Sequence, residues 1–348
     1  MFNGIYEGKR VLVTGAFGYK GSWACHWLKR LGAEVILFGH KPNTEPNHHD
    51  LLKNPKSAWG YIYMDLLSWK TLLVIMEQSK PDLVIHLAAK AIVARTFTEP
   101  RETFENNVMG AVNILEACRL TPSVKGIVFI TTDKVYSDEN WAWGYRENDK
   151  LGGIDPYSAS KVCCETVIEC YRKSFGLKIA TARAGNVIGG GDWSFKRLIP
   201  DIVRATAKGE TVVIHTPNAT RPFQHVLDAL YGYLLLGEQI LKGNDVNRAW
   251  NFGPDESMSV LQVLETAKEV WPEVKWEVNE AETHRFMVYL LKLDSTESHN
   301  ILGWKPMWNI GQAVRKTIAW YRRYYADGFI ESENNIRSYE RKMSNVEL

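Results

Sequence analysis

The sequence has little cysteine. Cys25, Cys118, Cys163, Cys164 and Cys170 are the only five in 348 residues, an odd count with no C-x-x-C pair and no Cys/His ligand spacing. That pattern excludes a disulfide framework and a zinc-type metal site, and it reads as reduced thiols in a cytoplasmic protein. Charge of one sign is also lacking. Lys and Arg number 42 against 40 Asp and Glu, a net charge of +2. Such a balance gives no electrostatic footprint for nucleic acid or an anionic membrane surface. No run of 18 apolar residues exists, so no transmembrane helix is expected. The first ten residues lack the basic-then-apolar pattern of a secretory leader. Repeats, low-complexity tracts and Pro/Ser-rich linkers are absent too.

What is present is ordinary in bulk and informative in order. Hydrophobic residues make up 45% and charged residues 24%, values of a folded globular chain. The length suggests about two domains. Thirteen tryptophans stand out. Short apolar runs at 10–14, 34–38, 82–88, 126–130 and 178–184 alternate with helix-period segments at 21–31, 103–118 and 156–175. Near-continuously apolar strands alternating with helices predict an α/β fold, a doubly wound parallel sheet of the Rossmann type. After Gly189 the rhythm changes. A loop, Gly189-Gly190-Gly191-Asp192-Trp193, is followed by a Pro- and Arg-rich stretch, a helix over 226–241, a strand at 250–252, and helices over 259–271 and 311–325. The charged segment 328–348 reads as a flexible tail.

Gly15-Ala16-Phe17-Gly18-Tyr19-Lys20-Gly21 lies directly between the first strand and the first helix. Glycines at this spacing permit a tight turn and let a pyrophosphate approach the backbone at a helix N-terminus. In such folds a carboxylate at the end of the second strand meets the adenosine ribose. Here that position reads Phe38-Gly39-His40-Lys41. His40 and Lys41 could instead meet a 2′-phosphate, so the sequence leaves NADP open beside NAD. Asp65, after Tyr61-Ile62-Tyr63-Met64, is either an adenine contact or a strand-end turn residue.

Tyr157 and Lys161 stand four apart on a helix, hence on one face. An ammonium beside a phenol lowers the phenol pKa and can make it a base near neutral pH. Thr131-Thr132-Asp133-Lys134 ends a strand of the same sheet, and ligands in such folds bind at the carboxyl ends of strands. Thr132 offers a hydroxyl to a substrate oxygen. Asp133 and Lys134 place an acid and an amine side by side.

Together, the glycine loop, Thr132, Tyr157 and Lys161 resemble the extended short-chain dehydrogenase/reductase family. His86-Leu87-Ala88-Ala89 and Asn107-Val108-Met109-Gly110 fit it as well. Several longer stretches are similar to one branch, the CDP-glucose 4,6-dehydratases. These are Lys20-Gly21-Ser22-Trp23, Thr132-Asp133-Lys134, Trp143-Gly144-Tyr145-Arg146-Glu147, the segment 183–193 and Arg221-Pro222-Phe223-Gln224-His225. The resemblance runs from about residue 8 to residue 321.

The resemblance implies a hydro-lyase that turns a nucleotide sugar, CDP-glucose or a close relative, into its 4-keto-6-deoxy form. It implies NAD as cofactor, held by Gly15, Phe17, Gly18, Tyr19, His40, Asp65, Leu66, Leu87, Ala88, Ala89, Asn107, Tyr157 and Lys161. Tyr157 takes the 4-hydroxyl proton with help from Lys161 and Thr132. Asp133 is the acid and Lys134 the carbon-5 base of the elimination. Substrate contacts are expected from Lys90, Asn186, Trp193, Arg197, Arg221, His284 and Arg285; a guanidinium fork matches phosphate geometry. Trp141 and Trp143 are expected near the pocket, and Trp23, Trp27, Trp304 and Trp308 in the packing. The cofactor and catalytic lobe is expected over 1–188 and about 224–255, and the sugar-nucleotide lobe over about 189–223 and 256–325. A homodimer through the helices near 103–118 and 156–175 also follows from the resemblance. Some positions depart from the branch: Lys90 where a Gln is expected, Ala16-Phe17 where a His-Thr pair is expected, and 283–286. A nucleotide-sugar 4-epimerase and a non-catalytic dinucleotide sensor remain as alternatives.

Overall fold

The computed structural model describes residues 2–52, 59–139, 141–279 and 292–346. Its centre is a single parallel sheet. Strands β1 (Arg10–Thr14), β2 (Glu34–Gly39), β3 (Tyr61–Tyr63), β4 (Leu83–His86), β5 (Gly126–Ile130), β6 (Ile179–Ala184) and β7 (Ala249–Phe252) lie in the order β3-β2-β1-β4-β5-β6-β7. Successive side chains of a strand point to opposite faces, and β1 shows the result. Val11 and Val13 join one core with Trp23, Trp27 and Leu234, while Leu12 joins the other with Leu72, Ile114 and Ile168. Both faces are therefore dry, and the strands read as apolar runs rather than alternating ones.

Helices α1 (Tyr19–Arg30) and α6 (Val226–Lys242) cover the first face. Helices α2 (Trp69–Ser79), α3 (Gly110–Arg119) and α4 (Pro156–Phe175) cover the second. Local sequence sets the ends of α4. The Asp155 carboxylate accepts from the Ser158 N–H at 2.9 Å, Pro156 occupies the first turn, and Gly176 closes the helix at φ 68°. Such a cap is worth about 1 kcal/mol. It also fixes where Tyr157 and Lys161 enter the site.

Beyond β6 the chain leaves the sheet. Val187–Ile188 pairs with Gln224–His225, Val212–Ile214 with Trp276–Val278, and Thr220–Arg221 with Met258–Ser259. Helices α5 (Leu198–Lys208), α7 (Val260–Val270) and α8 (Ile310–Asp327) pack around these short ladders, and β7 returns to the sheet edge beside β6.

The flexible tail expected over 328–348 is corrected by helix α9 (Ser332–Val346). Ile336, Tyr339 and Met343 are buried at the spacing of one helical stripe. The Tyr339 hydroxyl donates to Asp228 Oδ1 at 2.7 Å, and Glu333 and Glu340 pair with Arg30 at 2.8 and 2.9 Å. The segment reads as polar because only three of its side chains need to be apolar to dock.

Candidate active site

The strand order reverses between β1 and β4, the place where doubly wound sheets open a crevice for a dinucleotide. The loop after β1 is shaped for close approach. Gly15 has φ +70°, and a Cβ there would stand 2.8 Å from the Ala88 nitrogen; at Gly21 a Cβ would run into the Gly15 carbonyl. Gly18, the N-cap of α1, brings no side-chain cap. With no side-chain cap, the first-turn N–H groups of α1 are those that a pyrophosphate in this crevice would meet. Leu87 and Ala88 are held against β1 by bonds from their N–H groups to the Thr14 carbonyl (3.1 Å) and Oγ1 (3.3 Å). These residues fit NAD. At the adenosine end, His40 Nε2 lies 3.4 Å from Asp65 Oδ2, and Asp65 Oδ1 accepts from the Leu67 N–H at 2.9 Å. Asp65 is therefore a turn residue and a partner of His40 at once. Leu66 packs against Gly110.

The carboxyl end of β5 carries the reactive groups. Thr132 Oγ1 donates to Asp133 Oδ1 at 2.9 Å, and Asp133 Oδ2 is buried without a partner. The carboxyl lies against Gly185, where a Cβ would collide with it. Burial raises the Asp133 pKa, against the pull of Thr132, Lys134 and Lys20. Tyr157 sits beside this group. Burial pushes its phenol up to about 12, while Thr132 and Arg197 pull it down. The expected lowering of the phenol by Lys161 is not seen. Lys161 Nζ donates to the Ile130 carbonyl at 3.1 Å, and its own pKa is lowered by burial. Beneath the strand end, Thr131 Oγ1 donates to Glu165 Oε1 at 2.7 Å.

The opposite wall comes from the ladders beyond β6. Arg197 donates to Asp192 at 2.8 Å and faces Tyr157. Arg221 is half-buried and faces Asp133. Asn186 holds φ 43°, a strained value for a non-glycine residue, and its carbonyl accepts from the Gln224 N–H at 3.2 Å. Such strain collects at sites that position ligands. Arg197 and Arg221 are thus within electrostatic reach of Tyr157 and Asp133.

A family model described as the NAD dependent epimerase/dehydratase family matches residues 11–253. The chain belongs to that family. A CDP-glucose 4,6-dehydratase of Salmonella typhimurium is 36% identical over 96% of this chain and 97% of its own length. A UDP-glucose 4-epimerase of Streptococcus mutans is 28% identical over 90% of this chain and 97% of its own. Among solved structures, the Thermus thermophilus UDP-glucose 4-epimerase complex with NAD superposes with a TM-score of 0.78 at 25% identity, covering 90% of this chain and 99% of that one.

Within this epimerase/dehydratase frame some expected residues hold other posts. Trp193 does not line the pocket. Its ring is buried against Trp320, Tyr321 and Tyr324, and its Nε1 donates to the Tyr325 hydroxyl at 3.1 Å, because the loop that carries it packs inward on α8. Lys90 is drawn to Glu99 (2.9 Å) and Glu102 (2.8 Å) rather than left for substrate. The Asn107 amide is engaged by Ser160 Oγ and the Lys90 backbone, so it positions the 88–90 loop against α4. Phe17 turns its ring into a cluster with His49, Tyr61 and Tyr63, leaving only its backbone toward the crevice. Lys134 Nζ lies 3.9 Å from Asp155 Oδ2. Trp143 is exposed, with the Trp141 ring behind it at 5.4 Å. Trp23, Trp27, Trp304 and Trp308 are buried. His284 and Arg285 lie outside the described residues.

Sequence reasoning missed Lys20 as a site residue. Arg197, Asp133, Lys161 and Asp192 all act on its amine, which burial lowers to about 8. The signals were an amine in the variable position of the glycine loop and its place in the Lys20-Gly21-Ser22-Trp23 stretch shared with the dehydratase branch.

Proposed function

We propose that the protein is a NAD-dependent nucleotide-sugar 4,6-dehydratase acting on CDP-glucose or a close relative. The observation that carries this reading is the Asp133 carboxyl. It is buried, raised in pKa, fitted against Gly185 and linked through Thr132 to the neighbourhood of Tyr157. A carboxyl with a raised pKa beside the hydride site suits loss of a 6-hydroxyl, a step that an epimerase does not need. The 36% identity to a CDP-glucose 4,6-dehydratase supports the same substrate.

Tyr157 takes the 4-hydroxyl proton, oriented by Thr132, with Lys161 behind it. NAD, held at the glycine loop by Gly15 and Gly18 and beside Leu87 and Ala88, would supply the hydride acceptor for carbon 4 and the donor for carbon 6. The 4-ketone acidifies the carbon-5 proton. Lys134 removes that proton and Asp133 protonates the departing 6-hydroxyl. Asn186, Arg197 and Arg221 hold the diphosphate, and residues 189–223 with 256–325 form the sugar-nucleotide lobe. The protein works as a homodimer in the cytoplasm. Phe104 and Met109, exposed beside Val108 and Cys163, fit the first statement, and the free buried thiols Cys25, Cys118 and Cys164 fit the second.

Incubation with CDP-glucose tests the reading. Release of a CDP-4-keto-6-deoxy sugar, seen as base-induced ketosugar absorbance and a mass lower by one water, supports it. CDP-galactose as product would replace it with the epimerase, and absence of turnover on every nucleotide sugar with the sensor.

A further inference from the structure

The loop after β2 carries a short helical turn, His48–Leu51, whose first residue is buried. Both ring nitrogens of His48 are engaged. Nδ1 lies 2.8 Å from Ser22 Oγ of α1, and Nε2 lies 2.7 Å from the Oγ of Ser332, the first residue of α9. Ser22 and Ser332 are buried as well. The Ser22 hydroxyl donates onward to the Tyr19 carbonyl at 2.8 Å, and Ser332 Oγ accepts from Trp320 Nε1 at 3.0 Å.

Proton balance fixes the direction of this chain. Ser22 uses its proton on Tyr19, so His48 Nδ1 carries a hydrogen and donates to Ser22 Oγ. A neutral imidazole then has only Nε2 left as acceptor, and the Ser332 hydroxyl donates to it. Burial holds the ring well below its usual pKa, in the neutral form that the chain needs. Donors therefore run from Trp320 through Ser332, His48 and Ser22 to the carbonyl of the first residue of α1. Bonds in such a buried chain strengthen one another and specify one arrangement.

The same histidine supports both walls of the cleft. Tyr19 follows Gly18 in the glycine loop, on the cofactor side. On the other side, Gly191 lies on the His48 ring at φ +88°, where a Cβ would stand 2.5 Å from Cδ2, and a Cβ at Gly190 would run into the Trp320 ring. Trp23 stacks on His48 with centroids 4.7 Å apart, and its Nε1 donates to the Gly190 carbonyl at 2.9 Å. Asp192 comes next. The Tyr321 hydroxyl accepts from its N–H at 2.8 Å and donates to its carbonyl at 2.6 Å, and Asp192 Oδ2 accepts from Arg197 at 2.8 Å.

Building on the reading that Arg197 holds the diphosphate of a sugar nucleotide, we propose that His48 is a positioning residue that locks the glycine loop to the 189–197 wall, with α9 as the latch. His48 acts through its neighbours and not on a ligand. NAD at the glycine loop holds the Tyr19 end of the chain. A nucleoside diphosphate at Arg197 holds the Gly191–Asp192 end. Each ligand orders part of what the other binds, so the two affinities are coupled, by the same factor in both directions. Ser332 thereby gives the last helix of the chain a part in the site beyond stability.

Calorimetric titration of the intact protein, freed of nucleotide, tests this with NAD and CDP as probes. In the wild type, saturating CDP is expected to tighten NAD by about 10-fold, and saturating NAD to tighten CDP equally, a usual size for coupled sites. Two variants cut the link at Ser332. Ser332→Ala removes the hydroxyl, and His48→Asn keeps a donor for Ser22 but is too short to reach Ser332. In both the factor is expected to fall below about 2-fold. The factor is the readout, and not the affinity of either ligand alone. A residue that serves only the fold would lower the thermal midpoint and leave the factor at its wild-type value; that result in either variant overturns the proposal. So does the absence of coupling in a wild type that binds both ligands. Should His48→Asn not fold, Ser332→Ala decides. If the wild type binds NAD but not CDP, it is the choice of nucleotide that has failed, and UDP takes its place in the same titration.

Discussion

Arg183 Nε and Glu165 Oε1 form an ion pair at 2.9 Å, with both side chains almost wholly buried, directly under the strand end that carries Thr132. Arg183 also donates to the Tyr136 hydroxyl at 2.9 Å and the Glu147 carbonyl at 2.8 Å, and Glu165 accepts from Thr131. This pair is the floor of the site. Removing one partner leaves the other charge buried and alone, which costs roughly 3–5 kcal/mol. Glu165→Ala is therefore expected to lower the urea midpoint sharply. Equilibrium unfolding would show it; a change below about 1 kcal/mol would contradict the network.

Gly185 is the seat of the Asp133 carboxyl, since a Cβ there collides with it. Gly185→Ala is expected to displace Asp133 and stop water loss while NAD still binds. Calorimetric NAD titration beside the ketosugar assay separates the two effects. Equal loss of both would show that the residue serves the fold alone.

Tyr157 has a phenol raised to about 12 by burial, with Thr132 pulling it down. Carbon-4 oxidation, which needs the phenol to accept a proton, should then rise with pH below that value. Thr132→Val removes a lowering contact, so its rising limb moves to higher pH. Tyr157→Phe is expected to lower oxidation by about 10²–10⁴-fold. Single-turnover absorbance across pH reads both.

Asp228 lies at the start of α6, buried, with Oδ1 accepting from Tyr339 and the Met307 N–H and Oδ2 without a partner. Burial raises its pKa to about 7. The folded form thus holds a proton that the unfolded chain loses near pH 4. By linkage, stability from this group is full below about pH 4 and falls as pH rises to about 7, by a few kcal/mol. Asp228→Asn keeps the Oδ1 contacts and is expected to flatten that slope. Thermal midpoints at pH 4.5 and 7.5 test it.

Helix α9 closes over Trp27, Tyr231 and Trp308 through Tyr339. Tyr339→Ala is expected to cost about 3–5 kcal/mol, as for large aromatic truncations in a core. A chain ending at Asp327 should melt earlier than the full one; an unchanged midpoint would mean that α9 docks without stabilising.

The sheet and the chemistry at its edge are legible in the chain alone. Strands buried on both faces are apolar throughout, and the glycine loop and the 155–161 cap are local, so each is legible from neighbours in the chain. Tyr157, Asp133 and Thr132 were legible for the same reason. What meets at the carboxyl end of the sheet depends on the fold. Trp193 turned inward and Lys90 was taken by Glu99 and Glu102, because each outcome depends on partners that local sequence does not specify. Helix α9 shows the limit most plainly. Three buried apolar side chains among many polar and charged ones are too few to signal a core, and their worth comes from the surface that they meet.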